Sequence, residues 1–251
     1  MKRNIYILML VLLPLSVVAA TFADETLRYR VEYKWGLVEK TAGYVSIQLT
    51  GKPDRYHSRL TAATAKWADK FYKVRDTLSC EVMKSGYRPV FYEKNSHEGG
   101  DDKHDYVKYS YRGNTVTGDC TRRKWTNGKL ERDEKRVLEA EGVTVDMLSA
   151  FYYMRSLPYT TWKVGQKHVV NIFSGKRKEL LTIIYRGVEK VTYDHRTYDC
   201  YHISFTFTSD GKKKTSDDME AWIDTSGSHI PVRLEGKLPI GKVRCFLEKS
   251  E

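Results

Sequence analysis

LRYRVEYKW, residues 27–35, alternates without a break. Leu27, Tyr29, Val31, Tyr33 and Trp35 fall on one side, and Arg28, Arg30, Glu32 and Lys34 on the other. Successive side chains of an extended chain point to opposite faces, so this stretch reads as a strand with one buried and one solvated face, the pattern of an antiparallel sheet. The rhythm returns in YVSIQL (44–49), PVFYEK (89–94), DYVKYSY (105–111), LLTIIY (180–185), YHISFTF (201–207), EAWID (220–224) and GKVRCFL (241–247). Turn-forming clusters such as TGKPD (50–54), KSGY (84–87), TNGK (126–129) and DTSGS (224–228) separate these runs. The 18 tyrosines suit half-buried pleated surfaces. An all-β, mainly antiparallel fold follows.

Two stretches break the rhythm. TVDMLSAFYYMRSLPY (144–159) sets Leu148, Phe151, Tyr152 and Met154 at helical spacing, with Thr144 or Asp146 as N-cap and Pro158 as the stop. KWADKFYKVRDTL (66–78) spaces Trp67, Phe71, Val74 and Leu78 the same way and predicts a short helix before a strand. Many strands and one or two helices imply a strongly curved sheet or partly closed barrel that the helices cover. An immunoglobulin-like sandwich is disfavoured by the length and by the lack of its Cys and Trp framework. Neither a repeat nor a linker divides residues 24–251, which are expected to form one domain.

The chain opens MKRNIYILMLVLLPLSVVAATFADE. Lys2 and Arg3 precede an apolar run from Ile5 to Ala20, and Ala19, Ala20 and Ala23 offer cleavage sites, so residues 1–23 read as a signal peptide. The run is short for a membrane span and is interrupted by Pro14. No cysteine stands at the cleavage region, so the expectation is an exported protein of the periplasm or outer envelope, neither lipid-anchored nor an integral membrane protein once processed. Lys+Arg 43 against Asp+Glu 32 gives a net charge of +11, and losing Lys2 and Arg3 lowers it by two. The longest basic runs, Arg122–Arg123–Lys124 and Lys212–Lys213–Lys214, are too short for a nucleic-acid footprint.

Cys80, Cys120, Cys200 and Cys245 include no C-x-x-C pair, and in an oxidising compartment one or two disulfides are expected. Proximity favours Cys80 with Cys120 and Cys200 with Cys245. Alternation complicates the second pair, because Cys245 is in step with Val243 and Leu247 whereas Cys200 is out of step with Tyr201, Ile203 and Phe205.

NSHEGGDDKHD (95–105) carries metal-ligand chemistry in His97, Glu98, Asp101, Asp102, His104 and Asp105. Strands run in and out of it, and Gly99–Gly100 is what a hairpin turn requires. The reading is a turn with His97 and His104 roughly opposite each other, a weak metal candidate at most. His195 and His202 flank Cys200, but a half-disulfide is the simpler role for that thiol. No G-x-S-x-G, phosphate loop, H-E-x-x-H or dinucleotide fingerprint is present. A binder rather than an enzyme is expected, with no cofactor.

The chain resembles the DUF3108 family of exported Gram-negative proteins, a domain of unknown function. The residues that carry the likeness are LRYRVEYKWGLVEKTAGYVSIQL (27–49), VRDTLSCEVMKSGYRPVFYEK (74–94), VDMLSAFYYMRSLPY (145–159), RTYDCYHISFTF (196–207) and the closing segment from Glu220 to Leu247 with Trp222, Pro231 and Gly241. The resemblance implies one curved antiparallel β-domain and no established activity. The closing segment is also similar to periplasmic lipoprotein-carrier proteins, which hold acyl chains in an unclosed barrel. The resulting expectation is a non-enzymatic binder of an apolar or amphipathic, lipid-like ligand, held in the concavity of the sheet by Tyr29, Tyr33, Trp35, Phe151, Tyr152 and Met154, with a basic rim for its headgroup. An interaction module gripping an envelope protein or glycan is the alternative.

Overall fold

The computed structural model describes residues 21–209, 213–214, 218–238 and 240–250. The predicted signal segment lies outside them over residues 1–20. The first half of the chain is a run of long strands: β1 (Glu25–Trp35), β2 (Val38–Gly51), β3 (Arg55–Thr64), β4 (Val74–Met83), β5 (Pro89–Glu98), β6 (Asp101–Arg112), β7 (Thr115–Thr126) and β8 (Lys129–Glu141). A two-residue strand β9 (Thr144–Val145) leads into the helix α1 (Ser149–Arg155). There follow β10 (Lys167–Phe173), β11 (Lys178–Tyr193), β12 (Arg196–Ser209), β13 (Lys213–Lys214), β14 (Met219–Asp224), β15 (Pro231–Lys237) and β16 (Lys242–Ser250).

The sixteen strands among the described residues share one sheet, in the order β8-β7-β6-β5-β4-β3-β2-β1-β16-β15-β14-β12-β11-β10-β9, with β13 beside β12. The pairing is antiparallel throughout except between β9 and β10. The last strand pairs with the first, Val31 opposite Cys245 and Tyr33 opposite Val243. The two ends of the order curl towards each other to give a nearly closed barrel. Across the seam Asn171 Nδ2 donates to the carbonyls of Glu141 and Val143 (2.8 and 3.2 Å), and Phe173 stacks on Tyr109. Gly118 makes room for that ring, since a Cβ there would meet Phe173 Cδ2 at 2.7 Å.

The helix packs against the inner face of both halves of the sheet. Leu148 and Tyr152 pack into the cluster of Leu27, Tyr29, Tyr56, Cys80, Tyr92 and Phe173. Ala150 and Met154 pack into that of Val145, Ile172, Leu181, Ile183 and Ile203. Residues four apart share a helix face, so α1 presents one face to each half of the sheet. The carboxylate Oδ1 of Asp146 accepts from the amides of Leu148 and Ser149 (2.8 and 2.7 Å), which caps the helix. The expected second helix reduces to a single 3-10 turn, Ala68–Lys70. Val74 and Leu78, which had looked helically spaced, sit with Cys80 on one face of β4, where a period of two serves them equally well.

Arg155 is fully buried at the end of α1. It forms a bidentate ion pair with Glu25, donates to the carbonyls of Ser228 (2.8 Å) and His229 (3.1 Å), and stacks over Phe22, 4.6 Å from the ring centre. His229 Nδ1 returns a hydrogen bond to the Arg155 carbonyl. A guanidinium taken out of water is tolerable only with this many partners.

The disulfide expectation is corrected: all four cysteines are free thiols. Cys80 on β4 and Cys120 on β7 are separated by β5 and β6, and Cys200 on β12 and Cys245 on β16 by β14 and β15. Three strand spacings are roughly 14 Å, against a limit of about 7 Å between Cα atoms for a disulfide. Cys200 lies with Val191, Trp222 and Val232 in a small separate cluster.

Arg155→Ala strands the Glu25 carboxylate and should lower the unfolding free energy by about 3–5 kcal/mol in urea melts. Arg123→Ala, which opens the exposed pair with Asp133, should cost under about 1 kcal/mol in the same assay.

Burial raises the Asp146 carboxyl to about 6, and its Oδ2 has no partner among the described residues. The folded state therefore holds a proton that the unfolded chain releases near pH 4. The stability it contributes is complete below about pH 4 and is lost as pH rises through 6. Asp146→Asn keeps the acceptor without the charge. It should gain roughly 3 kcal/mol on the wild type between pH 4 and pH 7; a constant difference would contradict the assignment.

Candidate functional site

The interior of the barrel is filled at one end and open at the other. Seven helical residues span only about 10 Å, whereas the eleven residues of β1 run about 36 Å. Along β1 the inward series Leu27, Tyr29, Val31, Tyr33, Trp35 passes from fully buried beside α1 to 61% exposed at Trp35. Beyond the reach of the helix the same face becomes a cleft of about 880 Å³.

Val31, Tyr33 and Trp35 of β1, Val38 and Val45 of β2, Ala62 of β3, and Val243 and Cys245 of β16 form its walls. Trp67 and Phe71, from the connection between β3 and β4, stand over one side. Trp67 is fixed by its Nε1, which donates to the Thr41 carbonyl (2.6 Å), and its ring is covered by Lys40 Nζ at 4.4 Å. Tyr33 OH donates to the Ile240 carbonyl and ties the β15–β16 turn to the neighbouring strand β1. Lys40 is the only charged residue among the described residues that line the cleft. Volume and lining suit an acyl chain or another elongated apolar group.

Past β3 the inner face changes character. Asp76, directly opposite the cleft residue Ala62, pairs with Lys94 (3.1 Å), which also holds Glu98 (3.0 Å). Glu98 in turn accepts from Lys103 (2.9 Å). Asp105 and Arg122 pair at 2.8 Å on the next two strands. Burial raises the Asp76 carboxyl, whereas the two lysines hold Glu98 down to about 2 against the burial that opposes them. Asp76 Oδ1 and Ser96 Oγ are buried without a partner among the described residues. An apolar wall and a charged wall thus meet on one inner surface, an arrangement that can receive both parts of an amphipath.

Of the predicted lining residues, Tyr33 and Trp35 stand in the cleft. Tyr29 is buried just beneath it, its hydroxyl donating to the Pro231 carbonyl (2.9 Å), with Phe151 edge-on to its ring. Tyr152 and Met154 belong to the packed core around α1. Sequence reasoning placed these helix residues and the strand residues in one concavity because both faces are apolar. It missed Trp67, Phe71 and the β16 wall. The pairing of β16 with β1 is set by topology, which no local pattern encodes.

The Gly99–Gly100 turn joins β5 to β6, with Gly99 at φ 65°. The two histidines are not opposite each other: the turn sets Glu98 against Asp101, so His97 faces Asp102 and His104 faces Asn95. His97 Nδ1 donates to Asp102 (2.7 Å) and His104 Nε2 to Glu93 (2.8 Å). Among the described residues no group of three or more His, Cys, Asp or Glu side chains converges as a metal site would.

A family model described as "Protein of unknown function (DUF3108)" matches residues 28–248. No curated protein matches the sequence. Among solved structures, the beta-barrel-like protein of domain of unknown function DUF1849 from Brucella abortus aligns over 93% of this chain and 99% of its own, with TM-score 0.65 at 10% identity. That likeness shows a shared fold. The hypothetical lipoprotein YmcC from Escherichia coli aligns over 93% of this chain and 90% of its own at 9% identity, with a TM-score of 0.31, too slight to argue from. Among the described residues no helix is long and apolar enough to cross a membrane.

Cys245 faces the cleft and is half-buried, while Cys80, Cys120 and Cys200 are buried. Burial pushes the Cys245 thiol up to about 11, so alkylation should be slow but confined to Cys245 in the native protein and protected by a bound detergent. Unfolding without reductant should expose four thiols to alkylation; two or fewer adducts would restore a disulfide.

Proposed function

The chain belongs to the DUF3108 family, described only as a protein of unknown function, and we propose that it is a non-enzymatic binder of an amphipathic, lipid-like ligand in the bacterial envelope. The observation that carries the reading is the apolar cleft of about 880 Å³ at the unfilled end of the barrel. The acyl part lies between Tyr33, Trp35, Trp67 and Val243, and the polar part reaches the charged strip that begins at Asp76 and Lys94. The likeness of the closing segment to lipoprotein-carrier proteins supports the same chemistry.

Export is the second part of the proposal. The n-region, apolar run and small residues of the first 23 positions support it. Phe22 packs against Tyr56, Tyr87 and Tyr152, and its amide donates to Tyr56 OH (2.9 Å). A side chain so placed favours cleavage after Ala19 or Ala20 over cleavage after Ala23. The assembly-module alternative has less support, because the edge strand β8 carries Glu131, Arg132, Asp133, Glu134, Lys135 and Arg136. A charged edge resists strand addition.

Ala62 faces the cleft, so Ala62→Trp fills it from one wall. The variant should weaken uptake of a fluorescent long-chain fatty acid by at least about tenfold while costing no more than about 1–3 kcal/mol of stability in urea. Equal uptake by variant and wild type, or none by either, would sink the proposal.

A further inference from the structure

Three turns meet at the mouth of the cleft. The β1–β2 turn is closed by Trp35 opposite Val38. Lys34 opposite Lys242 brings the β15–β16 turn beside it, and Gly43 opposite Thr64 sets the β3–β4 connection on its other side. Each turn lifts a large apolar side chain into solvent: Leu37 is wholly exposed, Phe71 83% and Ile240 63%. Single exposed apolar residues are ordinary, but several converging at the rim of an apolar cleft make a continuous patch of the kind that marks a contact surface.

The charges around this patch have one sign left over. Glu39 is engaged by Lys34 and Arg244, and Asp69 by Arg75. Lys66 and Lys70 on the β3–β4 connection and Lys237 at the end of β15 form no ion pair among the described residues, while Lys73 acts on Asp69. An apolar tip ringed by surplus lysines is complementary to an anionic lipid surface. Such a surface offers hydrocarbon to the apolar side chains and headgroup phosphates to the ammonium groups.

We propose that this end of the barrel docks onto an anionic lipid bilayer, with Leu37, Phe71 and Ile240 seated at the boundary between headgroups and acyl chains. Docked so, the mouth of the cleft faces the membrane and a lipid can pass between them without crossing water. The docking surface rests on exposure and charge, and only its purpose rests on the reading of the cleft.

Co-sedimentation of the full chain with vesicles provides the test. The protein should bind phosphatidylcholine vesicles that contain phosphatidylglycerol and bind pure phosphatidylcholine weakly. Binding should fall as salt rises from about 0.1 M to about 1 M, where the screening length drops from roughly 10 Å to 3 Å. Leu37 and Ile240 do not line the cleft, so Leu37→Glu with Ile240→Glu should cut partitioning by at least about tenfold per site with fatty-acid uptake intact. Val137→Glu, at an equally exposed valine within β8, should change nothing. Failure to bind anionic vesicles, equal binding to both compositions, or undiminished binding by the double variant would each overturn the docking surface. Ala62→Trp separates the two readings: it should bind vesicles as the wild type does, whatever it does to uptake.

Discussion

The buried guanidinium of Arg155 is the point on which the barrel turns. Its partners are Glu25 at the start of β1, the carbonyls of Ser228 and His229 just before β15, and the aromatic rings of Phe22, Phe151 and Tyr152. Those groups come from the beginning, middle and end of the chain, so one side chain fixes where the helix sits relative to both halves of the sheet. A buried charge gives little net stabilisation against a well-packed apolar substitute, but it punishes any arrangement that leaves it unpaired. Arg155 thereby selects one position for α1. With the helix held at that end, its short length leaves the other end of the interior unfilled.

The cleft is a consequence of that constraint. The inner face of β1 is equally apolar along its whole length, yet Leu27 and Tyr29 are packed while Tyr33 and Trp35 are not. What differs is only whether α1 lies against them. The same division appears in the titrating groups. Asp146, capping the helix in the packed region, is raised by burial to about 6, whereas Glu98, past the reach of the helix, is held at about 2 by Lys103 and Lys94. At the packed end burial dominates, whereas at the open end two lysines overcome it at Glu98, though not at Asp76.

Much of the fold was legible in the sequence because period-two alternation is a local property. LRYRVEYKW declares its strand and its buried face without reference to any other segment, and the Gly99–Gly100 hairpin follows from its turn residues. The helix was legible from Leu148, Phe151, Tyr152 and Met154 with Asp146 before them. Three features were not. The spacing of Val74 and Leu78 fits a strand as well as a helix, and pairing with β3 and β5 decided it, while Trp67 and Phe71 fell in the connection before that strand. The cysteines were read by proximity along the chain, but strand order places Cys80 three strands from Cys120 and Cys200 three from Cys245. The cleft needed β16 beside β1, a contact across nearly the whole chain. Tyr33 and Trp35 could be named from β1 alone, whereas Trp67, Phe71 and Val243 could not.

Native mass spectrometry of the protein taken from cells that make it, set beside the same sample denatured, addresses the central claim most directly. The expected result is a native mass exceeding the polypeptide by that of one lipid-sized molecule, lost on denaturation and displaced by added fatty acid. A native mass equal to that of the polypeptide, with no adduct formed when long-chain fatty acid is added, would mean that the cleft is merely an unfilled end of the barrel and not a binding site.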